Sequence, residues 1–309
     1  MKLMTRASAA ATCLVLAFAS TNAAVRAQEP PAPATPTPAP APAVVQSPTP
    51  LDVQYDGRTH IMVAPYLWAP TVGGNFQYSI PNLPRRVGGV AQASAQVGPS
   101  DYLAKLNSAA MFAFDARKGD IDLFGDFIYV NASVSASAFS TLSGRFGRLQ
   151  IPVSLSTNAH LRESIWEAAA GVTVARGHDA DLSLFAGMRE YPLNLTFDYS
   201  ATIGKRGRFT RSGTILTADI TQDVIFGLRG KVFFGDSHVF VPYYGDVGSG
   251  IGVLSNQTWE AYSGAGYAFN HGQTLLLAYR TLTYEGFSPI SHVQRLTMHG
   301  PLLGYTFNL

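Results

Sequence analysis

Thiols are almost missing from this chain. Cys13 is its one cysteine, so the residues beyond it can form neither disulfides nor a cysteine-based metal site. A bilayer-spanning helix is missing too. The apolar run Ala7–Ala19 is too short and too rich in Ala, and nothing after Leu51 reaches the length a membrane helix needs. Charge is scarce and favours neither sign, with 22 Lys and Arg against 20 Asp and Glu. That removes the large basic surface on which nucleic-acid binding depends. No His or carboxylate cluster has metal-ligand spacing, and no Gly-rich loop leads from a strand into a helix, so no metal or nucleotide cofactor is expected. Gly248-Ser249-Gly250-Ile251-Gly252 reads as a turn between strands.

The first segment present is a leader. Lys2 and Arg6 precede the short apolar run, and small residues at Val25 and Ala27 suit signal peptidase. Cleavage is expected after Ala27, with Ala23 the alternative, so residues 1–27 form a signal peptide that carries the protein across the inner membrane. The absence of thiols fits passage through an oxidising compartment. Residues 28–50 are nearly all Pro, Ala and Thr. Such a stretch buries no core and favours extended polyproline II, reaching roughly 60–70 Å at about 3.1 Å per residue. It is expected to be a disordered periplasmic linker.

Residues 51–309 repeat a different pattern, alternating segments of about ten residues between turn clusters. Tight turns fall at Lys118-Gly119-Asp120, Gly177-His178-Asp179, Gly235-Asp236-Ser237 and Asn270-His271-Gly272, where Gly, Asn and Asp meet a hairpin's demand for positive φ or a local side-chain bond. Longer stretches separate them. The expected fold is all-β, a transmembrane antiparallel up-and-down barrel of about ten strands, with eight or twelve as alternatives. Its strands fall near Thr59–Ala69, Ala104–Arg117, Asp120–Ser133, Glu163–Arg176, Asp181–Phe197, Thr214–Phe233, His238–Val247, Thr258–Phe269, Thr274–Tyr284 and from Leu296 to the last residue. Gly73–Pro99 reads as a loop. Twelve strands would follow if a long loop concealed a hairpin.

The faces favour a membrane over water. Leu303, Tyr305, Phe307 and Leu309 alternate with Leu302, Gly304, Thr306 and Asn308. Ile121, Leu123, Phe127 and Tyr129 oppose Asp122, Phe124 and Asp126; Leu216, Ile220, Val224, Phe226 and Leu228 oppose Asp219, Asp223 and Arg229. Tyr66, Trp68, Tyr129, Trp166, Tyr243, Trp259, Tyr267, Tyr279, Tyr305 and Phe307 cluster near strand ends, and are expected on the apolar face as interfacial girdles.

Five phrases carry a family resemblance: Ala64-Pro65-Tyr66-Leu67-Trp68-Ala69-Pro70, Gly227-Leu228-Arg229-Gly230, Tyr244-Gly245-Asp246-Val247-Gly248, Leu277-Ala278-Tyr279-Arg280 and His299-Gly300-Pro301-Leu302-Leu303-Gly304. In this order they resemble proteobacterial outer-membrane β-barrel proteins of the porin-like kind. The resemblance implies an outer-membrane barrel inserted by the barrel-assembly machinery, and it lends no catalytic residue. The chain departs from the usual pattern in ending on Leu309, with Phe307 two residues earlier.

The polar face carries Asp115, Arg117, Asp122, Asp126, Glu167, Arg189, Asp219, Asp223, Arg229, Lys231, Asp246, Glu260 and Arg280. Inside a small barrel such groups survive by pairing. They either neutralise one another in a structural barrel or line a narrow, weakly selective channel for small solutes. In the channel, Arg189, Arg229 and Arg280 face Asp219, Asp223 and Glu260 at a constriction. The basic loop with Lys205, Arg206, Arg208 and Arg211 is expected to meet lipopolysaccharide phosphates. The alternative function is an outer-membrane enzyme using His160 or His292 with Ser156, Ser164, Ser288 or Ser291, although no spacing reproduces a hydrolase signature. The expectation is a monomer without catalytic or cofactor-binding residues.

Overall fold

Ten antiparallel strands close on themselves in a computed structural model of the chain. The structure describes residues 50–79, 90–143, 150–203, 209–235, 237–251, 256–269, 272–286 and 293–309. The leader and all but the last residue of the Pro/Ala-rich linker lie outside these residues. A short helix α1 (Pro50–Gln54) precedes β1 (Thr59–Trp68), β2 (Thr71–Ser79) and β3 (Val90–Val97). A second short helix, α2 (Pro99–Tyr102), leads through a single 3-10 turn into β4 (Leu106–Lys118) and β5 (Ile121–Ser143). The chain continues through β6 (Gln150–Arg176), β7 (Ala180–Ile203), β8 (Phe209–Phe233), β9 (Val239–Gly250), β10 (Asn256–Ala268), β11 (Thr274–Gly286) and β12 (Val293–Asn308).

The barrel runs β1, then β4 through β12, each paired with its neighbour, and β12 returns to β1 with Met62 opposite Asn308 and Leu67 opposite Leu303. Such closure leaves no sheet edge in the bilayer, where an unpaired backbone group would meet no water. Connections at one end are short, and Gly119, Gly235 and Gly272 there take positive φ of 59°, 56° and 77°. That is the backbone the sequence demanded of those turns.

Two features differ from the sequence expectation. The segment read as a loop from Gly73 holds the β2–β3 hairpin, twelve strands in all with ten forming the barrel. The hairpin sits beyond the long-loop end of β1 and β4, joining β12 through Thr71–Phe76 and β5 through Ala91 and Gln92. Strands β5 to β8 are also longer than expected, at 23, 27, 24 and 25 residues against 12 and 13 for β9 and β10. A membrane needs only about 9–11 residues per strand. One side of the molecule therefore rises far past the other.

The two faces are inverted relative to a water-soluble sandwich. Ile121, Leu123, Phe226, Val247, Leu277 and Leu303 stand exposed on the outside, while Asp122, Arg189, Asp223 and Glu260 are at most 2% exposed in the interior. An apolar exterior around a charged interior is the pattern of a barrel solvated by lipid. Trp259, Tyr267, Tyr279 and Phe307 lie on the outer face as expected. Tyr66 and Trp68 do not. Both point inward, at 8% and 4% exposure, while Leu67 between them is 71% exposed. Tyr66 lies across from Gly304, where an added Cβ would stand 3.3 Å from the Tyr66 Cβ.

Candidate functional site: the lumen

Side chains fill the interior in successive layers. At the short-turn end, α1 enters the mouth of the barrel. Leu51 is 2% exposed and packs with Phe233, Phe240 and Ala268. Tyr55, just after α1, donates its hydroxyl hydrogen to Asp181 Oδ2 at 2.6 Å and accepts from Arg117 Nη1 at 2.9 Å. The guanidiniums of Arg117 and Arg176 lie 4.9 and 4.7 Å from its ring centre. Burial, reinforced by the Asp181 hydrogen bond, pushes the Tyr55 phenol up to about 12. Asp56, beside it, is held below the usual carboxylate range by hydrogen bonds from His60 and the Arg58 amide.

Deeper in, Arg229 bridges Asp115 and Asp122, and its guanidinium lies 3.7 Å from the centre of the Phe124 ring. Arg117 reaches the same Asp122 at 3.4 Å. An aromatic column follows: Phe124, Phe185, Tyr244 and Tyr262, with successive ring centres 5.0, 5.2 and 5.0 Å apart. Between the α1 plug and the middle of the barrel lies a cavity of about 270 Å³, lined among others by Gln54, Met62, Phe240, Lys231 and Tyr262.

The middle layer is one connected ion network. Arg189 donates through Nη2 to Glu167 Oε2 at 2.7 Å and through Nη1 to Asp246 Oδ1 at 3.1 Å, and lies 3.2 Å from Glu260. Arg280 donates to Glu260 Oε2 at 3.1 Å and lies 2.6 Å from Asp126. Tyr66 and Tyr244 donate their hydroxyls to Asp126 and Glu167 at 2.6 and 2.7 Å. The Arg280 guanidinium is 4.9 Å from the Trp68 ring centre. Carboxylate oxygens of Glu167, Asp246 and Glu260 come within 4.8 Å of one another, the kind of cluster that could hold a cation. Here the Arg189 guanidinium supplies that positive charge. Each ion is desolvated, and the pairing offsets this only because nearly every donor has an acceptor.

Beyond the network, towards the long-loop end, Ile128, Ile165, Tyr191, Leu282, Tyr284, Leu296 and Met298 pack together across the lumen. This apolar layer carries no signal in the alternation, because an inward Leu and an outward Leu read alike in sequence.

Of the six residues expected at a constriction, Arg189, Glu260 and Arg280 do meet in the middle layer. Arg229 belongs to the deeper layer, with Asp115 and Asp122 for partners. Asp223 accepts from Asn256 and Thr258 at 2.6 and 2.8 Å and takes part in none of the guanidinium pairs. Asp219 lies on β8 across from Leu193, and its side chain falls outside the described residues. The sequence placed Glu167, Asp246 and Asp126 on the polar face without seeing that they are the partners of Arg189 and Arg280. Lys205, Arg206 and Arg208 lie outside the described residues; Arg211 pairs with Ala201 at the far end of the β7–β8 hairpin. His160, Ser156, Ser288, Ser291 and His292 have side chains outside the described residues. His299 is on the outer face, with its Nδ1 2.6 Å from the Tyr279 hydroxyl.

No family model and no curated protein matches this chain. Among solved structures it is similar to the translocator domain of autotransporter NalP from Neisseria meningitidis, at 16% identity over 83% of this chain and 91% of that one, with a TM-score of 0.36. It is similar also to the CymD monoaromatic hydrocarbon channel, at 9% identity, 81% and 88% coverage and a TM-score of 0.28. A BenF-like porin from Pseudomonas fluorescens Pf-5 matches at 10% identity, 81% and 99% coverage and a TM-score of 0.22. These likenesses are too loose to transfer any residue's role, and the fold and the luminal layers rest on this chain's own ladders and contacts.

Proposed function

We propose that the chain is an integral protein of the bacterial outer membrane whose barrel is a closed structural scaffold, with its short-turn end in the periplasm. The observation that carries this reading is the stacking of the Arg189–Arg280 ion network directly beneath the Ile128–Leu296 apolar layer. An ion crossing the lumen would have to break paired charges and then pass a layer filled by large, mostly apolar side chains around the buried Glu163, and constrictions of that kind block conduction by leaving little room for water. Planar bilayer recording tests it. The expected result is no steady conductance from the folded protein; steady, ohmic single-channel steps would replace the scaffold with a narrow porin-like channel. The 270 Å³ cavity favours that second reading, since it provides one solute-sized compartment already. Covalent chemistry has no part in the proposal, and an outer-rim enzyme would need the His160 or His292 region to supply it.

Between β7 and β8 the sequence is basic, and in this reading that segment faces away from the periplasm. Lys205, Arg206, Arg208 and Arg211 complement lipopolysaccharide phosphates. Replacing all four with Gln is expected to weaken lipopolysaccharide binding several-fold at low salt and to flatten its salt dependence. Unchanged binding in a pull-down with immobilised lipopolysaccharide would remove that contact from the proposal.

A further inference from the structure

The α1 plug is built to leave. It is a five-residue helix seated in the mouth through Leu51, which packs on Phe233, Phe240 and Ala268, and followed by Tyr55, which bonds Asp181 and Arg117. Gly57, between the plug and β1, has φ of +82° with open space where a Cβ would stand, and the Asp56 bonds to the Arg58 amide and His60 are the exposed contacts that span it. Behind the plug lies the 270 Å³ chamber, floored by Gln54.

The wall it closes against holds a mismatched pair. Asp181 and Lys231 lie directly opposite on β7 and β8, and the Lys231 amide donates to Asp181 Oδ1 at 2.9 Å. Opposite charges facing across a ladder ordinarily pair. Here Tyr55 takes Asp181 Oδ2 instead. The Lys231 ammonium forms no ion pair among the described residues, and lies in the chamber 5.8 Å from the Phe240 ring centre. The other luminal cations in these layers, Arg117, Arg189, Arg229 and Arg280, are all paired.

We propose that residues 50–56 are a displaceable stopper of the chamber, and that the Asp181–Lys231 ion pair replaces the Tyr55–Asp181 hydrogen bond when the stopper swings out about Gly57. The stopper is then one of two states of the same wall. Each state satisfies Asp181, which keeps the free-energy gap between them small enough to be shifted. The sealed-lumen reading enters only in closing the chamber's far side.

Access to the chamber tests the switch without any conductance. Met62 lines the chamber. A Met62→Cys reporter in a chain with Cys13→Ala is reacted with a bulky charged maleimide, after cold-detergent migration has verified folding. Tyr55→Phe is expected to raise the labelling rate at least about tenfold, because the hydroxyl bonds two charged groups, Asp181 and Arg117. Leu51→Ala should raise it as well. Lys231→Met should lower it, about threefold, because the open state loses its ion pair. A permanent structural cork predicts no slowing by Lys231→Met, so an unchanged or faster rate in that variant overturns the switch. Slow labelling that no substitution changes overturns the stopper alone. Fast labelling already in the parent, indifferent to all three changes, would mark entry from the far end and overturn the stopper and the sealed lumen together.

Discussion

Arg189 is the side chain on which the middle of the molecule depends. It is 1% exposed and touches Glu167, Asp246 and Glu260 together. Removing one member of a buried ion group leaves its partners charged and unpaired, at a cost of about 3–5 kcal/mol. Arg189→Met is therefore expected to lower the urea midpoint of the detergent-folded barrel strongly. Combining it with Glu167→Gln and Asp246→Asn should recover most of the loss, because Glu260, the one carboxylate left, keeps Arg280 as its partner. An Arg189→Met variant as stable as the parent would show that the network contributes little. How much of this was legible differs from residue to residue. The inward side of β5 was plain from Asp122 and Asp126, since charges occupy one parity. Tyr66 and Trp68 were misplaced because β1 is apolar on both parities, so the face they take follows from the register with β12 and their luminal partners Asp126 and Arg280. Of the partners of Arg189, Glu260 was named as one from the sequence, whereas Glu167 and Asp246 were not. Asp246 is 57 residues away, and the stagger of the closed barrel brings it into reach.

At the scale of elements, the β2–β3 hairpin was hidden in what looked like punctuation. Gly73, Gly74 and Asn75 are turn formers by type, yet they pair with Thr297, Leu296 and Arg295. A partner strand overrides weak local propensity. The ends of β5 to β8 were underestimated for the same reason. The hairpin continues the wall between β12 and β5 beyond the ends of β1 and β4, while below it the ten strands close without it, because β1 pairs with β4 on one side and with β12 on the other. Replacing residues 71–97 with a short Gly/Ser linker is accordingly expected to keep the boiling-dependent band shift of a folded barrel on a detergent gel. A single, unshifted band would make the hairpin part of the closure itself.

For the whole molecule, the inside-out partition of charge and apolar surface is the main determinant of where it resides. Leu277 is 59% exposed on the outer wall, whereas Leu302 across the ladder from Ala278 is 7% exposed. An Arg at a lipid-facing position near mid-depth costs about 2–4 kcal/mol. Leu277 lies a few residues from the short-turn end of β11, so Leu277→Arg should lower stability in lipid vesicles by up to that amount, measured by unfolding in denaturant, and less in a short-chain detergent that lets the cation reach water. Equal losses in both would argue against a bilayer around this face. The alternation along β12 already announced this partition; the luminal plug and the Ile128–Leu296 layer had no counterpart in it.

The seam between β1 and β12 sets the order of events in time. All other ladders of the ten-strand wall join consecutive segments, apart from β1–β4, which skips only the hairpin. The seam alone brings Met62 to Asn308, across almost the whole described chain. Hairpins can form early and locally, but this contact carries the largest loop-closure entropy and must wait for the rest. Until it forms, the chain is an open ribbon with two raw edges, both competent to capture a neighbouring chain. Anything that holds β1 and β12 near each other during assembly therefore acts on the slowest and most hazardous step in the life of the protein.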